Sequence, residues 1–334
     1  MCAHDSLLGA ILRRAVSGFA AAVALAVAGN TFAQSWPSRP ITMVNPYAAG
    51  AGVDPVARLV AQRLGERLGQ PVIVENRTGA AGMIGAASVA KARPDGYTIM
   101  MSAAGDIAIN QHLYKSMTYD AERDFAPITL AVRLPFMLVV HPSVPAKTVR
   151  DLIDLARARP EQLTYGSGGS GSLQHLAGAL LAAQAGVKFV HVPYKAVAPA
   201  VSDLLGGQIG VLFAGVPAVL PHVKSGRLRA LGVTSANRIA QVPDVRTVAE
   251  QGLPGFEIMQ WFGVFAPAKT PVEIIDRLHR EIAAVLATPD VVESLRAQGA
   301  EPVGSSPAEV SRFIRSEIAR FGKLVREAGA TVDQ

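Results

Sequence analysis

A chain of 334 residues, half of them apolar, can bury large cores and suggests about two domains. Aromatic residues make up only 6%, which argues against an aromatic-rich binding platform and for closely packed α/β layers. The net charge of +6 is spread along helical spacings beside acids, as in Arg58, Arg63, Glu66 and Arg67, so it describes solvated helix faces and excludes nucleic acid as a partner.

Residues 1–33 read as a signal peptide, with Arg13 and Arg14 before an uncharged run and Thr31-Phe32-Ala33 as a cleavage site. Cleavage after about Ala33 lowers the net charge by one and removes Cys2, the single cysteine. The exported protein then has no disulfide, thiol nucleophile or Cys-ligated metal. No later stretch is apolar enough to span a bilayer.

A strand is expected over 41–44, followed by a loop from Asn45 to Asp54 and a helix over 55–68, with Asp54 as N-cap and Pro55 at the first helical position. Next come a strand over 72–75, a small-residue helix over 82–91, a strand over 97–102, and a loop Ala103-Ala104-Gly105-Asp106. The middle repeats the alternation, with strands over 136–140, 162–165, 189–192, 209–213 and 229–233. Helices over 149–158, 172–185, 198–205 and 218–224 lie between them, and past a strand over 261–266 the chain is helical over 271–287, 291–298 and 307–328. Such alternation predicts parallel sheets with helices on both faces. Extended segments near 129–134 and 255–260 look like two crossings between compact units. That gives one discontinuous lobe, 34–132 plus 258–334, and a second lobe, 133–257, with the ligand cleft between them.

Gly166-Ser167-Gly168-Gly169-Ser170-Gly171 lies between the strand over 162–165 and the helix from Ser172. Its glycines allow positive φ and close backbone approach, and the first helical N–H groups suit an anion. A turn that binds nothing is the competing reading. The run matches G-x-G-x-x-G, but no acid follows before Asp203, so a dinucleotide site is rejected. An acid placed at Gly171 is expected to abolish anion binding while sparing the fold. No nucleophile elbow, H-E-x-x-H or paired carboxylate is present, and the histidines are scattered, so no catalytic residue, metal or cofactor is expected. His175, one turn into the helix, is either a buried structural histidine or a support for the loop.

Pro37 to Ile41, the loop ending Gly52-Val53-Asp54, Gly69 to Arg77 and Pro94 to Thr98 resemble the Bug-type periplasmic solute receptors of tripartite tricarboxylate transporters. Gly168 to His175, His191 to Lys195, Leu204 to Gln208, Gly252 to Phe256 and Trp261-Phe262-Gly263 extend the resemblance along the mature chain. It implies a two-lobed α/β binding protein of type II, each lobe a sheet flanked by helices. Such a monomeric periplasmic receptor hands a small organic carboxylate to integral-membrane transporter subunits. By position it implies ligand contacts from Tyr47, Ala48, Ala49, Gly50 and Gly52, and from Ser167, Gly168, Gly171 and Ser172 with His175 behind them. Ala104 and Gly105 line the cleft, Tyr194 and Lys195 its far wall, and Ala214 the end of the strand over 209–213. The chain departs from the family at Ala48-Ala49, where prolines are usual, at Ala51, usually glycine, and at Ala214-Gly215, often Asp-Asn. A receptor for a membrane signalling partner, or an exported enzyme on the same scaffold, are the alternatives.

Overall fold

The computed structural model describes residues 36–50 and 52–332. The expected signal peptide, its cleavage site, Cys2 and Ala51 lie outside the described residues.

The strand β1 (Ile41–Asn45) leads into helix α1 (Val53–Leu68). Val53, Val56, Ala57, Val60, Ala61, Leu64 and Leu68 recur every three or four positions and are buried, which makes one apolar face. Gly69, with φ of 69°, closes the helix by donating its N–H to the Gly65 carbonyl. After β2 (Val72–Asn76) and α2 (Met83–Ala90), the strand β3 (Thr98–Ala103) runs into a wide turn at Gly105–Ile109 and the short helix α3 (Asn110–Leu113).

The strand β4 (Phe125–Val140) is followed by α4 (Val149–Ala158), β5 (Thr164–Ser167), α5 (Leu173–Ala185), β6 (Val190–Pro193) and α6 (Val197–Leu205). Then come β7 (Val211–Gly215), α7 (Val216–Lys224), β8 (Arg229–Val233) and β9 (Met259–Pro267). The chain ends in α8 (Val272–Leu286), α9 (Pro289–Ala297), the two-residue β10 (Glu301–Pro302) and α10 (Pro307–Glu327). Capping boxes begin two of these helices: Thr148 with Asp151 for α4, and Ser306 with Glu309 for α10.

The strands form two sheets joined through β4. One has the order β2-β1-β3-β9-β4 and the other β6-β5-β7-β4-β8. In each, the first three strands are parallel and a strand arriving from the other sheet is inserted antiparallel. That corrects the all-parallel expectation. Only strands returning through a crossover helix in their own sheet must run parallel, whereas β9 and the end of β4 enter from outside.

β4 also begins well before the expected residue 136. Its first part pairs with β9 down to Pro135↔Met259, and from Phe136↔Gly215 it pairs with β7. Register shifts near Pro127/Thr129 and Leu130/Val132 bend the strand between its partners. One apolar cluster includes Val44 and Met100 of the first sheet with Leu138, Tyr165 and Phe213 of the second. A separate cluster lies around Met137, Val139, Leu212 and Ala214. Among the described residues, no helix is long and apolar enough to cross a membrane.

Candidate functional site

The junction from β1 to α1 is organised by a buried acid. Asp54 is in the first turn of α1 and not its N-cap, a position taken by Gly52. The reason is visible in its partners, which draw its carboxylate inward. Its Oδ1 accepts from Asn45 Nδ2 at 3.1 Å and Asn76 Nδ2 at 2.8 Å. Its Oδ2 accepts from Gly50 N at 2.9 Å and Arg58 Nε at 2.8 Å. Burial pushes the Asp54 pKa up, but the hydrogen bonds from Arg58, Gly50 and the two asparagines outweigh it and hold the group well below the usual range. Asn76 also donates to the Tyr47 carbonyl at 2.9 Å, and Asn45 Oδ1 accepts from Tyr47 N at 3.0 Å. The N–H groups of Tyr47 and Gly50 are therefore used within the loop, while Ala48, Ala49, Gly50 and Gly52 form its exposed part.

A second acid stands beside this loop. Asp106 Oδ1 accepts from the Tyr47 hydroxyl at 2.6 Å and from Ala103 N at 3.2 Å, and Oδ2 accepts from the Ser102 hydroxyl. Burial raises its pKa to about 6 against the lowering effect of these donors. Burial and the Asp106 charge together push the Tyr47 phenol well above its ordinary value. The expected loop at 103–106 is absent: β3 continues through Ala103, and the wide helical turn starts at Gly105. Ala104 is buried, and a Cβ on Gly105 would lie 3.2 Å from the Tyr47 hydroxyl. Tyr47, Gly105 and Asp106 are thus one cluster.

The junction from β5 to α5 uses other chemistry. Ser172 is the N-cap of α5, its hydroxyl accepting from His175 N at 3.3 Å. The turn before it has φ of 121° at Gly169 and 77° at Gly171, which glycine adopts without strain. Gly171 N donates to His175 Nδ1 at 3.1 Å, so the 5%-exposed histidine ties the loop to the helix behind it. The buried Ser167 hydroxyl accepts from Gly169 N at 3.0 Å and meets His191 Nε2 at 2.6 Å. The rings of His175 and His191 stack at 3.9 Å and 5°, and Tyr165 lies against them, 5.0 Å from His191. Burial lowers the pKa of both histidines, that of His191 to about 4 with help from His175.

Other expected residues sit around this second cluster or away from it. Gly168 packs toward Val197 and Gln174. Tyr194 donates its N–H to the Ser167 carbonyl at 3.1 Å and its hydroxyl to Asp203 at 2.7 Å; burial and Asp203 push its phenol up to about 12. Lys195 is exposed. Ala214 is an interior residue of β7 paired with Met137, fully buried in the apolar cluster there, and not part of either polar cluster. A Cβ on Gly171 would overlap the Leu113 side chain of α3, so the second loop abuts the segment that follows Gly105.

Sequence reasoning did not single out Asn45, Asn76, Ser102 or Tyr119, whose hydroxyl donates to the Asp106 carbonyl at 2.6 Å. The available signal was position, since Asn45 and Asn76 end neighbouring parallel strands, where ligands of open α/β sheets gather. His191 had a register signal, pairing across from Tyr165. A groove of about 610 Å³ behind α1 and β2, between Gly65, Gly69 and Val72, shares only Arg58 with these networks. Among the described residues, no group of three side chains could hold a metal ion.

Two independent junctions of the same kind, one per sheet, describe a binding scaffold. The profile described as "Tripartite tricarboxylate transporter family receptor" matches residues 56–330. The chain belongs to that family. BugT of Bordetella pertussis is 39% identical over 305 residues, covering 91% of this chain and 94% of that one. The solved structure of R. palustris Rpa4515 with adipate is 41% identical, with a TM-score of 0.77 over 89% of this chain and 100% of the other. MatC of Rhodopseudomonas palustris with bound malate is 31% identical, with a TM-score of 0.72 over 87% and 100%. The protein is a two-lobed solute-binding receptor of the tripartite tricarboxylate type, and the Bug-type resemblance of its motifs is a true kinship.

Proposed function

We propose that this receptor captures a small organic carboxylate in the periplasm and passes it, without chemical change, to integral-membrane transporter subunits. The observation that carries the ligand class is the N-terminus of α5, where Gly168, Gly169 and Ser170 lead into a 13-residue helix. The positive end of its dipole favours an anion. The relatives bound to adipate and malate support the same class. Ala48, Ala49, Gly50 and Gly52 supply the opposing loop, with Tyr47, Ala104 and Gly105 beside it and Tyr194 and Lys195 at the far wall. Hinge closure brings a lobe of 34–132 plus 258–334 onto a lobe of 133–257, the hinge being the partner change of β4 at Pro135–Phe136 and the start of β9 beside it. The protein acts as a monomer after removal of residues 1–33.

Native mass spectrometry of the purified protein, followed by calorimetry with adipate and malate, tests this reading. A small acid carried through purification, or micromolar binding of either probe, supports it. About 8 kcal/mol is needed for such affinity, which several charge-assisted hydrogen bonds of ~1.5–3 kcal/mol each can supply in a closed cleft. Absence of any adduct together with no heat from a range of mono- and dicarboxylates would overturn it.

A further inference from the structure

The side chains that shape the second loop are bases, not acids, and a hydrogen bond from the loop fixes the protonation state of His175. Gly171 N–H points at His175 Nδ1, so that nitrogen must carry a lone pair and the ring proton must sit on Nε2. A second proton on His175 can only go to Nδ1. There it would face the Gly171 N–H, donor against donor, at a glycine whose φ of 77° depends on the turn being held. His191 is stacked face to face on the same ring at 3.9 Å, and its Nε2 meets the serine hydroxyl that accepts the Gly169 N–H. Charge on either ring opposes charge on the other.

We infer that the His175–His191 stack is the positioning device of the second ligand loop, holding its binding shape only while His175 is neutral, so that ligand affinity falls as the medium acidifies. This rests on the carboxylate reading of the site for its ligand and on nothing but geometry for the loop.

The surroundings leave the pair to itself. From β5, Tyr165 donates its hydroxyl to the His175 carbonyl at 3.3 Å, and its own ionisation is pushed far up by burial. From β6 the facing group is His191 itself. From α3, next to the loop through Leu113, His112 is engaged with the Ile318 carbonyl of α10 at 2.8 Å. Among the described residues, no carboxylate, lysine or arginine shifts either ring. Burial lowers His175, and burial followed by His175 lowers His191. An imidazolium under an anion site also attracts the anion, which would raise affinity in acid. That attraction acts on a loop which has lost its Gly171 acceptor, and hydrogen-bond geometry at the ligand is lost first.

The decisive measurements use the full mature protein. In the ligand-free protein, NMR across pH 7.5 to 4.5 follows the His175 ring and the exchange protection of the Gly171 amide. Protection is expected to fall along the His175 titration; protection unchanged through that titration overturns the inference whatever the ligand is. Calorimetry with adipate at pH 7.5 and 5.0 reads the effect on binding. Wild type is expected to weaken by about tenfold more than the His175→Asn variant, whose amide oxygen can accept from Gly171 but cannot gain a proton. The variant carries adipate's own titration, so the ratio isolates the histidine. His175→Phe, with no acceptor, is expected to bind weakly at both pH values. Equal ratios for wild type and His175→Asn, or tighter wild-type binding in acid, refute the switch. If adipate and other carboxylates fail to bind at either pH while Gly171 still loses protection, the carboxylate reading fails and the loop device stands.

Discussion

The two junctions occupy the same place in their sheets and are built on opposite chemistry. Each leaves the second strand of a parallel trio, β1 or β5, and enters the following helix. Each also has a glycine with φ of 77°, Gly50 in one and Gly171 in the other. The first is pinned by a carboxylate, Asp54, whose four donors keep it ionised well below neutral pH. The second is pinned by an imidazole that must stay neutral. The two loops thus have different working ranges: the first holds in acid, and the second is the one that yields.

The strongest way to break this comparison is to remove the carboxylate. Asp54→Ala leaves Asn45, Asn76, Gly50 and Arg58 without their common acceptor, and leaving buried donors such as Asn45 unsatisfied costs about 1–3 kcal/mol. Urea denaturation should show a loss of that order, together with weaker ligand binding. A loss below about 1 kcal/mol would mean the loop holds its shape by other means.

Next in size is ligand discrimination, because both acids near the first loop are already engaged. Asp54 accepts four hydrogen bonds and Asp106 three. Ala214 and Gly215 bring no acid, and Ala214 is in any case buried in the core. Among the described residues, an ammonium would find no unoccupied carboxylate near this loop, and an unpaired buried charge is costly. Amine-free mono- and dicarboxylates should therefore stabilise the protein by ~2.7 kcal/mol at 100 times their dissociation constant, and aspartate or glutamate at the same concentration by less. Larger thermal shifts with the amino acids would reverse the conclusion.

The matched glycines sharpen the comparison further. Gly50→Ala meets nothing within 4 Å and should cost only the backbone strain of a positive φ, about 1 kcal/mol. Gly171→Ala carries the same strain and also displaces Leu113 in a buried setting, so about 1 kcal/mol more is expected from denaturation midpoints. An acid at Gly171, expected from sequence to spare the fold, meets both penalties and should lower stability as well as binding. Equal costs at the two glycines would show that Leu113 yields freely.

Periodicity was enough to find the helices: α4 matches its expected bounds, and α5 begins at Leu173, one residue after its expected start. The antiparallel insertions were hidden because strand direction depends on which sheet a segment enters, and neither β4 nor β9 differs in pattern from its parallel neighbours. At the site, the glycine turn was readable from composition. Its supports were not. Asn45 and Asn76 are 31 positions apart in sequence and come side by side through the pairing of β1 with β2, where both bond Asp54 and Tyr47, and the stacking of His175 on His191 is set by tertiary packing. Single polar residues on strand ends have no periodic signature, so only tertiary register reveals them.

The smallest expected effect concerns Asp106 and separates it from Asp54. Burial raises the Asp106 pKa to about 6 from an ordinary 3.8, so in that window the folded protein holds a proton that the unfolded chain has lost. Stability contributed by this group is then complete below pH 3.8 and is lost as pH rises through about 6. Asp106→Asn has no such titration. With its amide oxygen placed as Oδ1, it can still accept from Tyr47 and Ala103, and its nitrogen can donate to the Ser102 hydroxyl. The exchange gives up charge-assisted hydrogen bonds but avoids burying a charge, a net gain of about 1 kcal/mol at pH 8. Urea titrations of both proteins at pH 3.5 and pH 8 read the difference directly, since every other group titrates equally in the two. The variant should gain on wild type as pH rises. If wild type instead gains on the variant, the donors from Tyr47 and Ser102 outweigh burial, and Asp106 would join Asp54 as a carboxylate that the first junction keeps ionised.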